Sequence, residues 1–400
     1  MHLLRSERAA AALLLLAAAL GLLLANLPFG AALVDATDAH LDLPWLGIEL
    51  SAAHWVSDGL LAIFFFIVAV ELKRELVIGE LNSPAKALLP AIAALGGVVV
   101  PALVFVAFTA GTDRVDGWPI PTATDIAFAL GVLAVFGRFI PTRVRVFLLA
   151  LAVLDDLVAI LIIAFFFTSE ANLAYIGLAA LAIAAFGAVS RLLRPRSTYV
   201  LGRRPVWPIV LTLVALGVLA WWFVLQSGVH ATIAGVALGF AMSRRPGGRA
   251  AHALEPWSNG VILPLFAFTA ALVPVPQVRP ADLDPAFWGI LVGLPAGKLV
   301  GITLAGLLGA LLARRRAGAR ALGLPDLLVV GALGGVGFTV SLLMNELAFA
   351  GLPEVADEGT VAVLLGSGLA IVVSALVVSA RSAHYRRLGE RAGMGGAFSR

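Results

Sequence analysis

Twelve predominantly apolar runs follow one another along this chain, each about as long as a helix that crosses a bilayer. A hydrocarbon core about 30 Å thick takes roughly 20 apolar residues at a helical rise of about 1.5 Å per residue. The runs lie near 9–27, 54–77, 85–110, 117–137, 144–168, 173–192, 206–222, 226–243, 252–274, 286–312, 326–349 and 358–381, bounded by charge, proline or glycine. A water-soluble domain is excluded, and composition agrees: 61% of the 400 residues are hydrophobic and 13% charged, against about half and a quarter in soluble chains. The expected fold is an all-α polytopic membrane protein, with 1–400 as a single membrane domain. The first run follows Arg5 and Arg8. It is too long for a signal-peptide core and lacks a small-x-small cleavage site, so it reads as an uncleaved helix.

Basic residues set the expected orientation. Twenty-five of the 28 lysines and arginines fall in one alternate set of segments. These hold Arg5 and Arg8, then Lys73, Arg74 and Lys86, then Arg138, Arg143 and Arg145, then the groups from Arg191 to Arg204, Arg244 to Arg249, Arg314 to Arg320 and Arg381 to Arg400. An excess of Lys and Arg marks the cytoplasmic side. Both termini are therefore expected inside, in keeping with the even number of runs, and 382–400 reads as a cytoplasmic tail. The opposite loops carry acids, among them Asp35, Asp38, Asp42 and Glu49 in a long external loop at 30–52. Alternation around Pro44-Trp45 there fits either a short hairpin or an ordered loop. The net charge is +4, but its basic groups are scattered and form no gathered surface for a nucleic acid. Zero cysteines exclude disulfides, thiolate metal sites and thiol catalysis, and the six histidines include no pair at metal-ligand spacing.

A charge at the bilayer centre costs about 2.5–3.5 kcal/mol on insertion scales, so the few found there are the candidate working residues. Asp125, Asp155, Asp156 and Lys298 fall near the centres of runs. Asp58, Glu71, Arg74, Glu75, His230, His252, Glu255 and Asp326 fall toward run ends, where snorkelling or solvated loops account for them. Adjacent residues such as Asp155 and Asp156 point about 100° apart on a helix. One can line a cavity while the other meets a neighbouring helix. Two carboxylates this close in a weakly polar medium disfavour joint ionisation and titrate as a coupled unit. Such a site must hold a proton, a metal cation or an ammonium group, and Lys298 can supply the last. Around that lysine, Gly293, Gly297 and Gly301 stand four apart and form a smooth strip for close helix approach. Gly297-Lys298 lacks the rest of a phosphate loop, so uphill transport must draw on a gradient and not on ATP.

Two runs look interrupted. In the fourth, Trp118-Pro119-Ile120-Pro121-Thr122-Ala123-Thr124 precedes Asp125, and in the eleventh Gly331, Gly334, Gly335 and Gly337 gather at mid-run. Unwound backbone in a membrane is tolerated only where it lines a cavity or meets other polar groups. Asp125 could there compensate the partial positive charge of helix N-termini. Runs 3–5 and 10–12 start with opposite parity, so matching interruptions imply inverted repeats around a transport site near the midplane. An intramembrane aspartyl protease also needs two buried aspartates, but the buried lysine and the lack of a substrate gate weigh against it. A cation channel would differ from an exchanger in lacking saturable, proton-coupled flux.

These residues closely resemble the NhaA sodium/proton antiporters, themselves among the transporters known for inverted repeats and broken helices. The resemblance runs from about residue 45 to about 380. It is carried by Val70-Glu71-Leu72-Lys73-Arg74-Glu75-Leu76, by Thr122-Ala123-Thr124-Asp125-Ile126-Ala127-Phe128, and by Phe147 through Asp156. Ser227-Gly228-Val229-His230-Ala231-Thr232, Pro264-Leu265-Phe266-Ala267-Phe268, Gly297-Lys298 and Gly337-Phe338-Thr339-Val340-Ser341 complete it. The resemblance implies twelve helices with crossed, interrupted helices 4 and 11. It implies electrogenic, pH-activated exchange of cytoplasmic Na+ or Li+ for more than one external H+, by a homodimer in the bacterial inner membrane, without a cofactor. Asp156 would be the principal ion and proton carboxylate and Asp155 its neighbour, ion-paired with Lys298 when no sodium is bound. Thr124 and Asp125 would belong to the helix-4 break, and Gly334, Gly335 and Gly337 to the break in helix 11. Glu71, Arg74 and Glu75 would sit at a pH-sensitive cytoplasmic funnel with His252 and Glu255, and His230 would match a histidine linked to the pH profile. Two departures bear on that profile. Ala251 stands where the family often has an acid, with Glu255 as an electrostatic substitute, and Phe268-Thr269-Ala270-Ala271 replaces the family's Ala-Asn-Ala-Gly.

Overall fold

The computed structural model describes residues 7–79, 81–168, 171–194, 205–317 and 322–395. Of the basic residues that set the expected orientation, Arg5, Arg196, Arg203, Arg204, Arg320 and Arg400 lie outside them. In chain order the principal helices are α1 (Glu7–Ala25), α2 (Gly30–Asp38), α3 (Ala52–Ile78), α4 (Pro84–Thr109), α5 (Ile126–Phe136), α6 (Thr142–Phe166) and α7 (Leu173–Ser190). There follow α8 (Trp207–Gln226), α9 (Thr232–Ala241), α10 (Arg244–Trp257), α11 (Leu263–Ala270), α12 (Pro285–Leu311), α13 (Leu324–Gly334), α14 (Phe338–Ala348) and α15 (Pro353–Gly395). Among the described residues the only extended pairing is two isolated antiparallel bridges, His40 with Ser51 and Leu43 with Ile48, which close the 30–52 loop behind α2. Nine helices among the described residues are long and apolar enough to cross a membrane, ten if α13 and α14, bent by 51° at the residues between them, make one span. The chain is a multi-pass membrane protein.

The eighth apolar run does not form a single membrane-length helix, and the ninth is helical from Arg244 to Ala270 by way of a π-helical turn. The ten residues of α9 extend about 15 Å, half a hydrocarbon core. Before it, Gly228 turns the chain at a positive φ of 78°, and after it Met242 leaves helical geometry at ψ 140°. In the ninth run α10 opens on Arg244-Arg245-Pro246, and a π-helical turn at Ser258–Ile262 joins it to α11. Prolines flank that turn at Pro256 and Pro264. Lacking an N–H, they cannot sustain the regular helical ladder there.

The chain divides into two compact units. Among the described residues the first comprises Leu13–Gly79 and Ile160–Pro274. Within it α3 meets α9 backbone to backbone, because a side chain at Gly235 would collide with the Ala62 carbonyl. Phe186 of α7, Leu213 and Ala220 of α8, and Leu238 of α9 share an apolar core. Lys73 donates to the carbonyl oxygens of Phe240 at 2.6 Å and Met242 at 2.7 Å, closing the C-terminal end of α9 with a cation where the helix dipole favours one. The 30–52 loop is held by Trp222 and Gln226, which donate to Leu46 O at 2.9 and 3.3 Å.

The second unit comprises Ser6–Ala12, Glu80–Ala159 and Val275–Arg400. Its core joins Val144, Leu148 and Leu151 of α6 to Ile302 of α12, Leu327, Val330 and Leu333 of α13, and Val378 of α15. The glycine strip faces α4: Gly293 and Gly297 pack on Pro101, and Gly301 touches Gly96 so closely that a Cβ on either would strike the other's carbonyl. This contact draws α12 against α4 and sets the depth at which Lys298 enters the unit.

Candidate functional site

Lys298 follows a π-helical turn at Gly293–Gly297 that contains Pro295. A proline there has no N–H for the helical ladder, and the widened turn accommodates the gap. The lysine side chain is completely buried. Its Nζ donates to Asp155 Oδ2 of α6 at 2.7 Å and to Thr124 Oγ1 at 2.8 Å. The Thr124 hydroxyl in turn donates a hydrogen bond to the carbonyl oxygen of Gly334, at the end of α13, at 2.9 Å. Four segments are thus joined through one ammonium group. Asp155 is 2% exposed and its Oδ1 has no hydrogen-bond partner among the described residues. The neighbouring Asp156 is half-buried, and its charge also acts on the ammonium. Asp155 turns to the cation, and the adjacent position of Asp156 leaves the helix about 100° away from it.

Asp125 holds the break beside this pair. It is the N-cap of α5, and its Oδ1 accepts from the N–H groups of Ala127 at 3.1 Å and Phe128 at 3.4 Å. Its Oδ2 accepts from Thr339 N at 3.3 Å and Thr339 Oγ1 at 2.6 Å, in the first turn of α14. One carboxylate therefore serves the start of two helices, where the peptide dipoles leave partial positive charge. The break is closed further by Asp125 N, which donates to Val336 O at 2.6 Å, and by Phe338 N, which donates to Ser367 Oγ at 3.1 Å. Gly335 and Gly337 let the chain lie against Leu294, and Gly334 lies against Ile302. Phe338 is the only non-glycine residue with positive φ (20°) among the described residues.

Apart from Asp326, the remaining residues singled out by the sequence lie in the first unit. On α3, Glu71 and Arg74 are exposed and Glu75 is half-buried. On α10, His252 Nδ1 stands 3.4 Å from Glu255 Oε2, both in contact with solvent. The two helices pack through Ile67, Val70, Ala251 and Leu254, so the position where an acid was looked for is filled by a buried methyl group. His230 is not brought to this group. Its Nε2 is 2.9 Å from Asp58 Oδ1 and its Nδ1 is 2.7 Å from Thr232 Oγ1. Asp58 precedes Glu71 by thirteen positions on α3, roughly 20 Å along the helix.

Asp326 requires a correction. Expected in a solvated run end, it is 1% exposed, since a two-carbon side chain cannot reach water as lysine and arginine do. It accepts instead from Arg381 Nε at 2.8 Å, Arg143 at 3.2 Å and the Tyr385 hydroxyl at 2.8 Å. Sequence reasoning counted those arginines only as markers of membrane side. It also left Thr339 without a role, although the residue stands in the Gly337-Phe338-Thr339-Val340-Ser341 motif, and it did not pair Asp58 with His230.

Comparison with known proteins covers nearly the whole chain. The family model described as Na+/H+ antiporter 1 matches residues 1–378. The chain is 62% identical over 390 residues to Na(+)/H(+) antiporter NhaA 2 of Clavibacter michiganensis subsp. michiganensis, covering 98% of this chain and 94% of that protein. It is 44% identical to Na(+)/H(+) antiporter NhaA of Tropheryma whipplei, covering 94% of this chain and 95% of that one. The Na(+)/H(+) antiporter NhaA of Mycolicibacterium smegmatis is also 44% identical, over 97% of this chain and 89% of the relative. Matched along its length by the family and by relatives this similar, the chain belongs to the NhaA family of Na+/H+ antiporters.

Proposed function

We propose that this protein exports cytoplasmic Na+ or Li+ in exchange for external H+, that the exchange is electrogenic and activated by alkali, and that it serves sodium and pH homeostasis. The observation that carries this reading is the buried pair of Lys298 and Asp155 with one carboxylate oxygen unsatisfied and a second acid alongside. Asp156 is the principal ion and proton carboxylate, and Lys298 is the counter-ion of Asp155. A cation that takes both acids displaces the proton of one and breaks the ammonium's hold on the other. If Lys298 then releases its proton, two H+ leave for one Na+ and each cycle moves net charge. Raising the pH removes the competing protons and admits sodium, so activation by alkali follows from competition alone.

The finer architecture belongs to the same proposal. Twelve spans result when α9 and the α10–α11 pair are counted, with α13 and α14 as one interrupted helix crossing the break at 123–125. Runs 3–5 and 10–12 then form inverted repeats around Asp125. The distribution of Lys and Arg supports cytoplasmic termini, and the family resemblance supports a homodimer in the bacterial inner membrane. Glu71, Arg74, Glu75, His252 and Glu255 form the cytoplasmic funnel, and His230 acts on the pH profile from its pairing with Asp58.

The test is dissipation of an imposed ΔpH by Na+ or Li+ in proteoliposomes. Wild type exchanges both, and Asp156→Asn abolishes the response. Wild-type-like exchange by that variant would reject the assignment.

A further inference from the structure

At one end of the second unit, Asp326, Arg143, Arg381 and Tyr385 form a closed knot that the exchange chemistry does not use. Both Asp326 oxygens are occupied: Oδ1 by Arg381 and Tyr385, Oδ2 by Arg143, with Tyr385 O–H also 2.9 Å from Oδ2. The Arg381 guanidinium lies 4.4 Å over the Tyr385 ring, and Arg143 is also 3.2 Å from the Tyr385 hydroxyl. The acid is buried, while half of the Arg143 side chain reaches the surface.

The placement of these groups along their helices gives the knot a consequence. Arg143 opens α6, and Asp155 follows on that helix twelve residues later, about 18 Å along the axis. Asp326 stands in the first turn of α13, and Gly334 ends that helix eight residues later, about 12 Å on. The two helices are therefore tied twice. The knot ties their first turns, and the relay from Asp155 through Lys298 and Thr124 to the Gly334 carbonyl ties them at the ion site. Between the ties the two helices share one apolar core, in which Val144, Leu148 and Leu151 of α6 and Leu327, Val330 and Leu333 of α13 cluster with Leu133 of α5 and Ile302 of α12. Such packing fixes spacing more firmly than it fixes sliding or rotation. A directional charge contact to a buried carboxylate supplies what the apolar layer lacks.

We propose that Asp326 is a positioning residue for ion exchange: through Arg143 it sets the register of α6 against α13, and so the geometry in which Asp155, Thr124 and the Gly334 carbonyl meet Lys298. The inference rests on the exchange reading above. Releasing the knot loosens the ion site without removing any group from it. Sodium then binds less well while the turnover of the loaded protein is nearly kept.

The test measures exchange in proteoliposomes across a range of Na+ concentrations for wild type, Arg143→Gln, Asp326→Asn, Asp326→Glu and the double variant R143Q/D326N, each with its melting temperature in detergent. The expected result is a KM for Na+ raised about 3- to 30-fold in Arg143→Gln and Asp326→Asn, the range for coupling between separated residues. Maximal rate stays within about twofold, Asp326→Glu recovers most of the affinity, and the double variant is no worse than the weaker single variant. A knot that only stabilises the fold would lower the melting temperature and leave KM unchanged, and that outcome overturns the proposal. If Asp326→Asn does not fold, Arg143→Gln decides alone, because its side chain is half exposed and its loss leaves Asp326 two other donors. Absence of Na+/H+ exchange by wild type would instead reject the function, and the positioning role with it.

Discussion

Asp155 and Asp326 are both buried carboxylates held by basic side chains of one structural unit, and they are held in opposite ways. Asp326 faces two guanidinium groups and a phenol, and each of its oxygens has a donor. Asp155 faces one ammonium, and one of its oxygens has no partner among the described residues. A buried polar atom without a partner costs about 1–3 kcal/mol, so a fold selected only for stability would fill it. The saturated acid belongs to the frame. The unsaturated one is the acid that the proposed exchange uses. Asp125, with two donors on each oxygen, sits with Asp326 in this comparison although it lies beside Lys298 in space.

The contrast can be broken by removing charge at each acid. The largest effect is expected for Asp155→Asn, which leaves the Lys298 ammonium buried without its anion. Loss of one partner of a buried pair costs about 3–5 kcal/mol, read as a fall in melting temperature, and adding Lys298→Met recovers most of it. A melt like wild type would mean that the pair carries no charge. Next comes Asp125→Ala, which uncaps α5 and α14 together and costs about 2–4 kcal/mol from two caps. A loss no larger than that of one ordinary cap would show that the two helix starts do not share the acid. Thr339→Val removes the 2.6 Å hydroxyl contact to Asp125 and costs about 1.5–3 kcal/mol, the range for a hydrogen bond to a charged group. The smallest change in stability belongs to Arg143→Gln, about 1 kcal/mol or less for a half-exposed ion pair. Affinity for sodium, and not the melting temperature, is where that variant departs from wild type.

Much of this arrangement can be read before any coordinates. Long apolar runs announce themselves because nothing else tolerates them, and Asp125, Asp155, Asp156 and Lys298 stand out because ionisable groups are costly where they lie. Adjacent positions on a helix already separate the directions of Asp155 and Asp156. Which of them meets the lysine depends on how α6 is rotated against α12, which hydropathy does not encode. The eighth run misleads for a related reason. Apolarity alone does not distinguish a membrane-length helix from a short one bounded by turns at Gly228 and Met242. Asp326 and Asp58 stand out in sequence only as run-end acids, because an acid near a run end looks alike whether it meets water or a cation from another helix. His230 follows from the same blindness: its partner is 172 positions earlier in the chain.

The double duty of Asp125 limits how the second unit can deform. The starts of α5 and α14 hang on the same two oxygens, and a hydrogen bond fails within a few tenths of an ångström of its working length. Pulling either helix away would strand an anion and bare amides in oil. The carboxylate is a rivet through two plates, so whatever motion carries an ion from one face of the membrane to the other must carry both helix starts as one piece.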